Sequence, residues 1–307
     1  MKISIIGSGN VGSLSAMRIA QELPDAEIAL IDIVKGIAKG KSLDLMDARS
    51  LLKLHYNVDG SEDLDIASGS DIIVITAGLA RKPGMLREEL FRKNADIVSD
   101  LCSKIKKISK DAVVIIVTNP LDLMTMIALK STGFDPERVL GMGISLDASR
   151  FANLISLELN IPVYEIEPVV IGVHGEGMLP LGSLTSIKGI PLPNFLDEEK
   201  IKELSVRTIQ RGKEIVDHLG SGSAFFAPSA AIASLVKSVA KDEKRIIGVS
   251  AYLNGQYGLK DICLGVPCRI GKKGIEQILE LQLTKEEKEQ LYKSAQSLGS
   301  LNKLKSG

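Results

Sequence analysis

From residue 2 to residue 142 the chain alternates between short β-branched runs and segments with apolar residues at helical spacing, and few folds accommodate that order. Residues 2–6, 27–31, 71–76, 112–118 and 138–142 read as strands. Residues 11–23, 40–52 and 86–110 read as helices, Pro24 stops the first, and Pro120-Leu121-Asp122 opens a fourth. Residues 71–76 and 112–118 are almost continuously apolar, as strands covered on both faces must be. Strict β-α-β alternation implies a parallel sheet with right-handed crossovers, a doubly wound α/β half. After about residue 143 the pattern changes. Residues 149–159, 197–219 and 227–240 read as helices, 184–192 as a hairpin, and 244–253 and 261–270 as paired antiparallel strands. Thr284-Lys285-Glu286-Glu287 is a capping box opening a last amphipathic helix, read as a surface element without chemistry. Two domains are expected, residues 1–143 and an α+β domain over 144–307.

Gly7-Ser8-Gly9-Asn10-Val11-Gly12 matches G-x-G-x-x-G. The motif alone is weak, since any tight strand-to-helix turn resembles it. Here a strand ends at Ile6, a helix follows, and Asp32 closes the next strand, the context of a dinucleotide site in a Rossmann domain. Gly7 permits the turn, Gly9 lets the backbone approach a pyrophosphate, and Gly12 lets helix and strand pack closely. The helix start supplies free N–H groups and the positive end of its dipole. Asp32 suits ribose hydroxyls and repels a 2′-phosphate, so NAD is expected rather than NADP.

Lys plus Arg and Asp plus Glu each number 38, so no net charge draws nucleic acid or an anionic membrane. No apolar run approaches the roughly 18 residues of a membrane span. With a strand expected directly after Met1-Lys2, no leader is expected. Cys102, Cys263 and Cys268 form neither a C-x-x-C pair nor a metal cluster, which fits a reducing cytoplasm. No metal, nucleic acid or membrane partner is expected.

A dehydrogenase acting on an alcohol needs a group that moves a proton near neutral pH, and histidine suits that task. The chain has three. His218 stands at a helix end, where it complements the dipole, and His55 lies between Leu54 and Tyr56 with no evident partner; both read as structural. His174 ends a strand among Gly172, Gly175 and Gly177, where a ligand can approach backbone. A half-buried structural histidine is the plain alternative. Asp147 and Arg150 share a helix face, as a site pair or as an ordinary ion pair. The 81–87 loop, with Arg81 and Arg87 around Pro83-Gly84, follows a strand at the sheet's carboxyl edge, as a lid or as a solvated basic loop. Asn119-Pro120 follows another, beside the cofactor or simply starting a turn.

Taken in order, these residues resemble the lactate/malate dehydrogenase family, and within it the malate dehydrogenases of lactate-dehydrogenase-like type. The resemblance runs from Gly7 through Asp32, Thr76-Ala77-Gly78, Arg81 to Arg87, residues 117–122, 146–151, 171–180 and 222–228 to the Thr284 helix. It implies reversible oxidation of (S)-malate to oxaloacetate with NAD, as in the tricarboxylic acid cycle, by a cytoplasmic homo-oligomer, a tetramer rather than a dimer. His174 would carry the proton and Asp147 would hold its other ring nitrogen. Arg150 would grip the C1 carboxylate, Arg87 would polarise the C2 carbonyl, and Asn119 would meet the reacting oxygen. Arg81 would pair with the second carboxylate, where lactate-specific relatives carry glutamine. Gly7, Gly9, Asn10, Val11, Gly12, Asp32, Thr76, Ala77, Gly78, Asn94, Val117 and Asn119 would line the NAD site. Val173, Glu176-Gly177 and Phe225-Phe226 depart from the family's usual residues beside the site. The rival readings are a lactate or broad 2-hydroxyacid dehydrogenase, an NAD-dependent glycosidase, and a non-catalytic NAD-binding protein.

Overall fold

The computed structural model describes residues 1–79 and 87–302; Arg81 and the Arg87 side chain lie outside them. In the first half, β1 (Lys2–Ile6), β2 (Glu27–Ile31), β3 (Asn57–Ser61), β4 (Ile72–Ile75), β5 (Val113–Ile116) and β6 (Val139–Gly141) form a parallel array in the order 3-2-1-4-5-6. The helices α1 (Asn10–Glu22), α2 (Ile37–Leu52), α3 (Arg87–Ile108) and α4 (Leu121–Thr132) are the crossovers. Every residue of β4 and β5 is buried, as their unbroken Ile/Val runs require. The strand β3 was not foreseen, because Asn57, Asp59 and Gly60 disguise it. Its Gly60 is needed, since a Cβ there would run into the Ala38 carbonyl of α2.

The second half begins with α5 (Ile144–Leu159), which starts five residues before its expected position. Then come β7 (Ile166–Glu167), β8 (Val170–Gly172), β9 (Met178–Pro180) and the small hairpin β10 (Ser186–Ile187) and β11 (Ile190–Pro191). Two long helices follow, α6 (Glu198–Leu219) and α7 (Phe226–Ala240), and then β12 (Arg245–Asn254), β13 (Lys260–Gly271), β14 (Gly274–Ile278) and α8 (Lys285–Asn302). Local signals set the helix ends. Asp197 caps α6 by accepting the Lys200 N–H at 2.8 Å, and Gly220 closes it in the left-handed conformation. Thr284 and Glu287 satisfy each other's backbone N–H groups at the start of α8.

The change of pattern near residue 143 does not interrupt the sheet. β12 joins the edge of the parallel array through Ser250 opposite Gly141, and β13, β8 and β9 continue it antiparallel. One large apolar core lies along this shared sheet. A smaller one, with Ile144, Phe151, Ile155 and Leu204, fills the space between α5 and α6. The one sheet thereby carries the ends of β1, β4, β5 and β8, and the candidate site residues follow those ends.

Candidate active site

The first recess is a cleft of about 1020 Å³ lined by Gly7, Gly9, Asn10, Val11, Gly12, Asp32, Thr76, Ala77 and Gly78. Gly7 has φ +106°, which side chains resist, and a Cβ at Gly12 would overlap the Gly7 carbonyl. At Gly9 a Cβ would meet no atom within 4 Å, so that position faces open space. No side chain caps the start of α1 and no acidic residue sits in its first turn, which leaves N–H groups and a positive dipole end for an anion. Asp32 accepts the Ser8 N–H at 2.7 Å and the Val34 N–H at 3.0 Å, holding its carboxylate on the cleft wall. These features fit an NAD pyrophosphate and its adenosine ribose. Asn94 and Val117 do not line this cleft. The Asn94 amide is 1% exposed and committed to backbone: it accepts the Leu79 N–H at 2.7 Å and donates to the carbonyls of Leu79 and Asn119. Its hold on the site runs through those two segments.

The second recess, about 750 Å³, is lined by Asn119, His174 and Glu176 from one side and by Lys293, Ser294 and Leu298 of α8 from the other. His174 Nδ1 lies 2.6 Å from Asp147 Oδ2, and Asp147 Oδ1 accepts from Arg150 Nη1 at 2.9 Å. Asp147 is fully buried in the first turn of α5. Burial alone would push the His174 imidazolium down. The Asp147 charge and hydrogen bond, with Asp122 behind, outweigh that and raise the ring's pKa above its usual value, against Arg150. Arg150 Nε is buried and has no hydrogen-bond partner among the described residues. A buried guanidinium donor left open is costly, and Arg150 itself is not among the residues that line either recess.

Four residues to which the sequence assigns no role in the site stand around His174 and its loop. Asp122 Oδ2 accepts the His174 N–H at 2.9 Å. Ser250 donates to Asp122 Oδ1 at 2.7 Å. A Cβ at Gly143 would overlap Leu121 Cδ2 and come within 2.8 Å of His174 Cγ, so glycine leaves room for both side chains. Ser294 accepts the Val173 N–H at 3.0 Å and donates to the Gly177 carbonyl at 2.6 Å, tying down the His174 loop. The expectation that the last helix has no part in the site is therefore corrected. His55 and His218 are exposed and line neither recess. The unusual Phe225-Phe226 pair is a tilted contact with centroids 4.4 Å apart, and Phe225 lines the first cleft. Among the described residues no cluster of His, Cys, Asp and Glu is arranged to hold a metal ion, and no helix is long and apolar enough to cross a membrane.

Comparison with known proteins places this geometry in context. The model for the lactate/malate dehydrogenase NAD binding domain matches residues 1–141, and that for the lactate/malate dehydrogenase alpha/beta C-terminal domain matches residues 144–306. A malate dehydrogenase of Methanosarcina mazei is 48% identical over 298 residues, 97% of each chain. The structure of malate dehydrogenase from Salinibacter ruber superposes with a TM-score of 0.95 at 38% identity, covering 100% of this chain and 98% of that one. A lactate dehydrogenase from Cryptosporidium parvum, complexed with lactic acid and nicotinamide adenine dinucleotide, gives a TM-score of 0.95 at 37% identity with the same coverage.

Proposed function

Because this chain belongs to the lactate/malate dehydrogenase family and interconverts (S)-malate and oxaloacetate with NAD, we propose that His174, held by Asp147, carries the proton of that reaction. The observation that carries the assignment is the chain of half-buried imidazole, buried carboxylate and half-buried guanidinium, ending on an Arg150 Nε without an acceptor among the described residues. The cofactor, when bound, takes up or gives back the hydride. Gly7, Gly9, Asn10, Val11, Gly12 and Asp32 would hold its pyrophosphate and adenosine, with Thr76, Ala77 and Gly78 along the cleft and Asn94 and Val117 acting from behind it.

In the oxidative direction neutral His174 accepts the hydroxyl proton, and Asp147 stabilises the imidazolium that forms. Arg150 binds the substrate's C1 carboxylate, its preformed bond to Asp147 fixing the plane of the fork. Asn119 hydrogen-bonds the reacting oxygen, and Arg87 polarises the C2 carbonyl. Arg81 selects the dicarboxylate. We place the boundary between cofactor and substrate domains at residue 143, and read the working form as a cytoplasmic homotetramer serving the tricarboxylic acid cycle. Light scattering tests that assembly directly.

Substrate choice is tested by assaying oxaloacetate and pyruvate side by side. The two share C1 and C2, so Arg150 and His174 treat them alike. Pyruvate offers no charge to Arg81, and a desolvated, unpaired guanidinium costs several kcal/mol. Oxaloacetate should win by about a hundredfold or more in kcat/KM. Arg81→Gln should collapse that ratio with NADH affinity little changed. A wild type that prefers pyruvate overturns the dicarboxylate reading and leaves the hydride chemistry intact.

A further inference from the structure

Behind the His174 loop stands a second buried carboxylate. Asp122, in the first turn of α4, is 2% exposed and forms no ion pair with lysine or arginine among the described residues. Its Oδ2 accepts the His174 N–H at 2.9 Å and its Oδ1 accepts the Ser250 hydroxyl at 2.7 Å. The β6–β12 pairing, Gly141 opposite Ser250, delivers that hydroxyl. A Cβ at Gly141 would come within 2.8 Å of Ser250 Cβ, so the close approach depends on glycine.

Burial outweighs the Ser250 hydroxyl and the His174 N–H, both of which favour the ionised form, and raises the pKa of the Asp122 carboxyl. A backbone N–H can only donate, so the contact at Oδ2 always favours the anion. Apolar residues would fill the space between α4 and β12 without the cost of burying a carboxylate. The cluster gains charge balance instead. With Asp122 ionised, it and Asp147 bring two negative charges and Arg150 one positive charge, and among the described residues a protonated His174 supplies the second. Cys263 of β13, also beside Asp122, stays a neutral thiol because burial pushes it up. Glu176 and Lys293, opposite in sign, line the rim of the same recess.

We propose that Asp122 is a positioning residue for the proton transfer: it fixes the His174 backbone and, as the second anion, sets how firmly the ring keeps its proton. This rests on His174 being the proton carrier. The one side chain then has two functions, a hydrogen bond that an amide can imitate and a charge that it cannot.

Asp122→Asn and Asp122→Ala separate them. The asparagine keeps an oxygen for the His174 N–H and turns its amide towards Ser250 Oγ, so the loop stays while the charge goes. NMR titration of the three histidines in the protein without cofactor, assigned with His174→Asn, reads the ring directly. In Asp122→Asn the His174 midpoint should fall by about one pH unit, the order of one nearby charge. The alkaline limb of oxaloacetate reduction should fall with it, while maximal kcat stays within about threefold. Asp122→Ala should show the same fall in midpoint plus a loss of about tenfold in maximal kcat, because the His174 N–H loses its acceptor. An unmoved midpoint in Asp122→Asn overturns the proposal. Should that variant not fold, Ser250→Ala carries the test. Without the hydroxyl, Asp122 takes up a proton more readily, so the midpoint should fall by a smaller amount, and no movement overturns the proposal equally. The midpoint is read without substrate, so a wild type inactive on oxaloacetate sinks the functional reading separately.

Discussion

His174 Nδ1 and Asp147 Oδ2 meet at 2.6 Å although the two residues are 27 apart in the chain. One follows the end of β8 and the other sits in the first turn of α5. The contact forces the ring to present Nε2 to the recess and makes its protonated form cheaper. Asp147→Asn removes the charge from both His174 and Arg150. Turnover of oxaloacetate at neutral pH should fall by roughly 10²–10⁴, the range of a lost acid–base function, while NADH binding followed by fluorescence persists. Turnover within tenfold of wild type would refute the assigned role.

The raised pKa of His174 fixes the direction of the pH dependence. Oxaloacetate reduction needs the imidazolium, so its rate should decline as pH rises through a midpoint above about 6.5. Malate oxidation needs the neutral ring and should climb over the same interval. Stability follows the same sign. A folded-state pKa above the unfolded one contributes fully below the unfolded value and is lost as pH rises through the folded value. Paired kcat/KM profiles and urea midpoints across that window check both, and limbs centred below 6.5 would contradict the burial-versus-Asp147 balance.

What was legible depended on how far a residue's partner lies along the chain. Gly7, Gly9, Gly12 and Asp32 form one local unit, and their spacing carries the whole argument. The apolar continuity of β4 and β5 likewise needs no distant knowledge. Asp122 is different: its partners are 52 and 128 residues away, and no period links them. Its one local signal is a lone charge among Leu121, Leu123, Met124, Met126 and Ile127, in a helix that is otherwise apolar there. Ser294 reaches Gly177 over 117 residues, and α8 therefore read as an ordinary amphipathic helix. The start of α5 was misplaced because Gly143 occupies its N-cap without any capping side chain. The reason for that glycine, room for the Leu121 and His174 side chains, is visible only in three dimensions.

Gly143→Ala tests that reason. The new methyl would overlap Leu121 Cδ2 and stand about 2.8 Å from His174 Cγ and 3.0 Å from Nδ1, so the leucine must turn away and the ring must shift as well. Displacement of an acid–base group by a fraction of an ångström to an ångström costs up to about 10²-fold. We expect kcat to fall by roughly ten- to a hundredfold, with NADH affinity retained because the methyl lies away from the dinucleotide cleft. Unchanged kcat would mean that the ring has slack there.

Cofactor choice should follow Asp32. Its carboxylate lines the cleft with Glu62, whose Oε1 accepts the Gly36 N–H at 2.6 Å, so a 2′-phosphate would meet two anions. Asp32→Asn should raise the NADPH-to-NADH ratio of kcat/KM by about tenfold or more, one such factor for each 1.4 kcal/mol of repulsion removed. The backbone bonds from Ser8 and Val34 are lost in part, so NADH use should also weaken. Equal use of both cofactors by wild type would refute the argument at its root.

Ser294 offers the last test, because it links a surface helix to the proton carrier. The side chain is 6% exposed and holds both ends of the His174 loop, through the Val173 N–H and the Gly177 carbonyl. Leu291, Ala295 and Leu298 bury the inner face of α8 and fix the helix against the core. Ser294→Ala leaves two backbone groups without a partner, a local cost of about 1–3 kcal/mol. The loop should then open more often, and hydrogen exchange at residues 173–177 should quicken by about tenfold or more. We expect kcat to drop by a similar factor with KM nearly constant, since Arg150 and the cofactor cleft are untouched. Thr284→Ala is the control. It removes the α8 cap, at about 1 kcal/mol, but leaves the Ser294 hydroxyl in place, so thermal stability should fall while exchange at the loop and kcat hold. If both variants lower kcat alike, α8 acts through general stability and the loop needs no clamp. If only Ser294→Ala does, the helix is part of the catalytic frame.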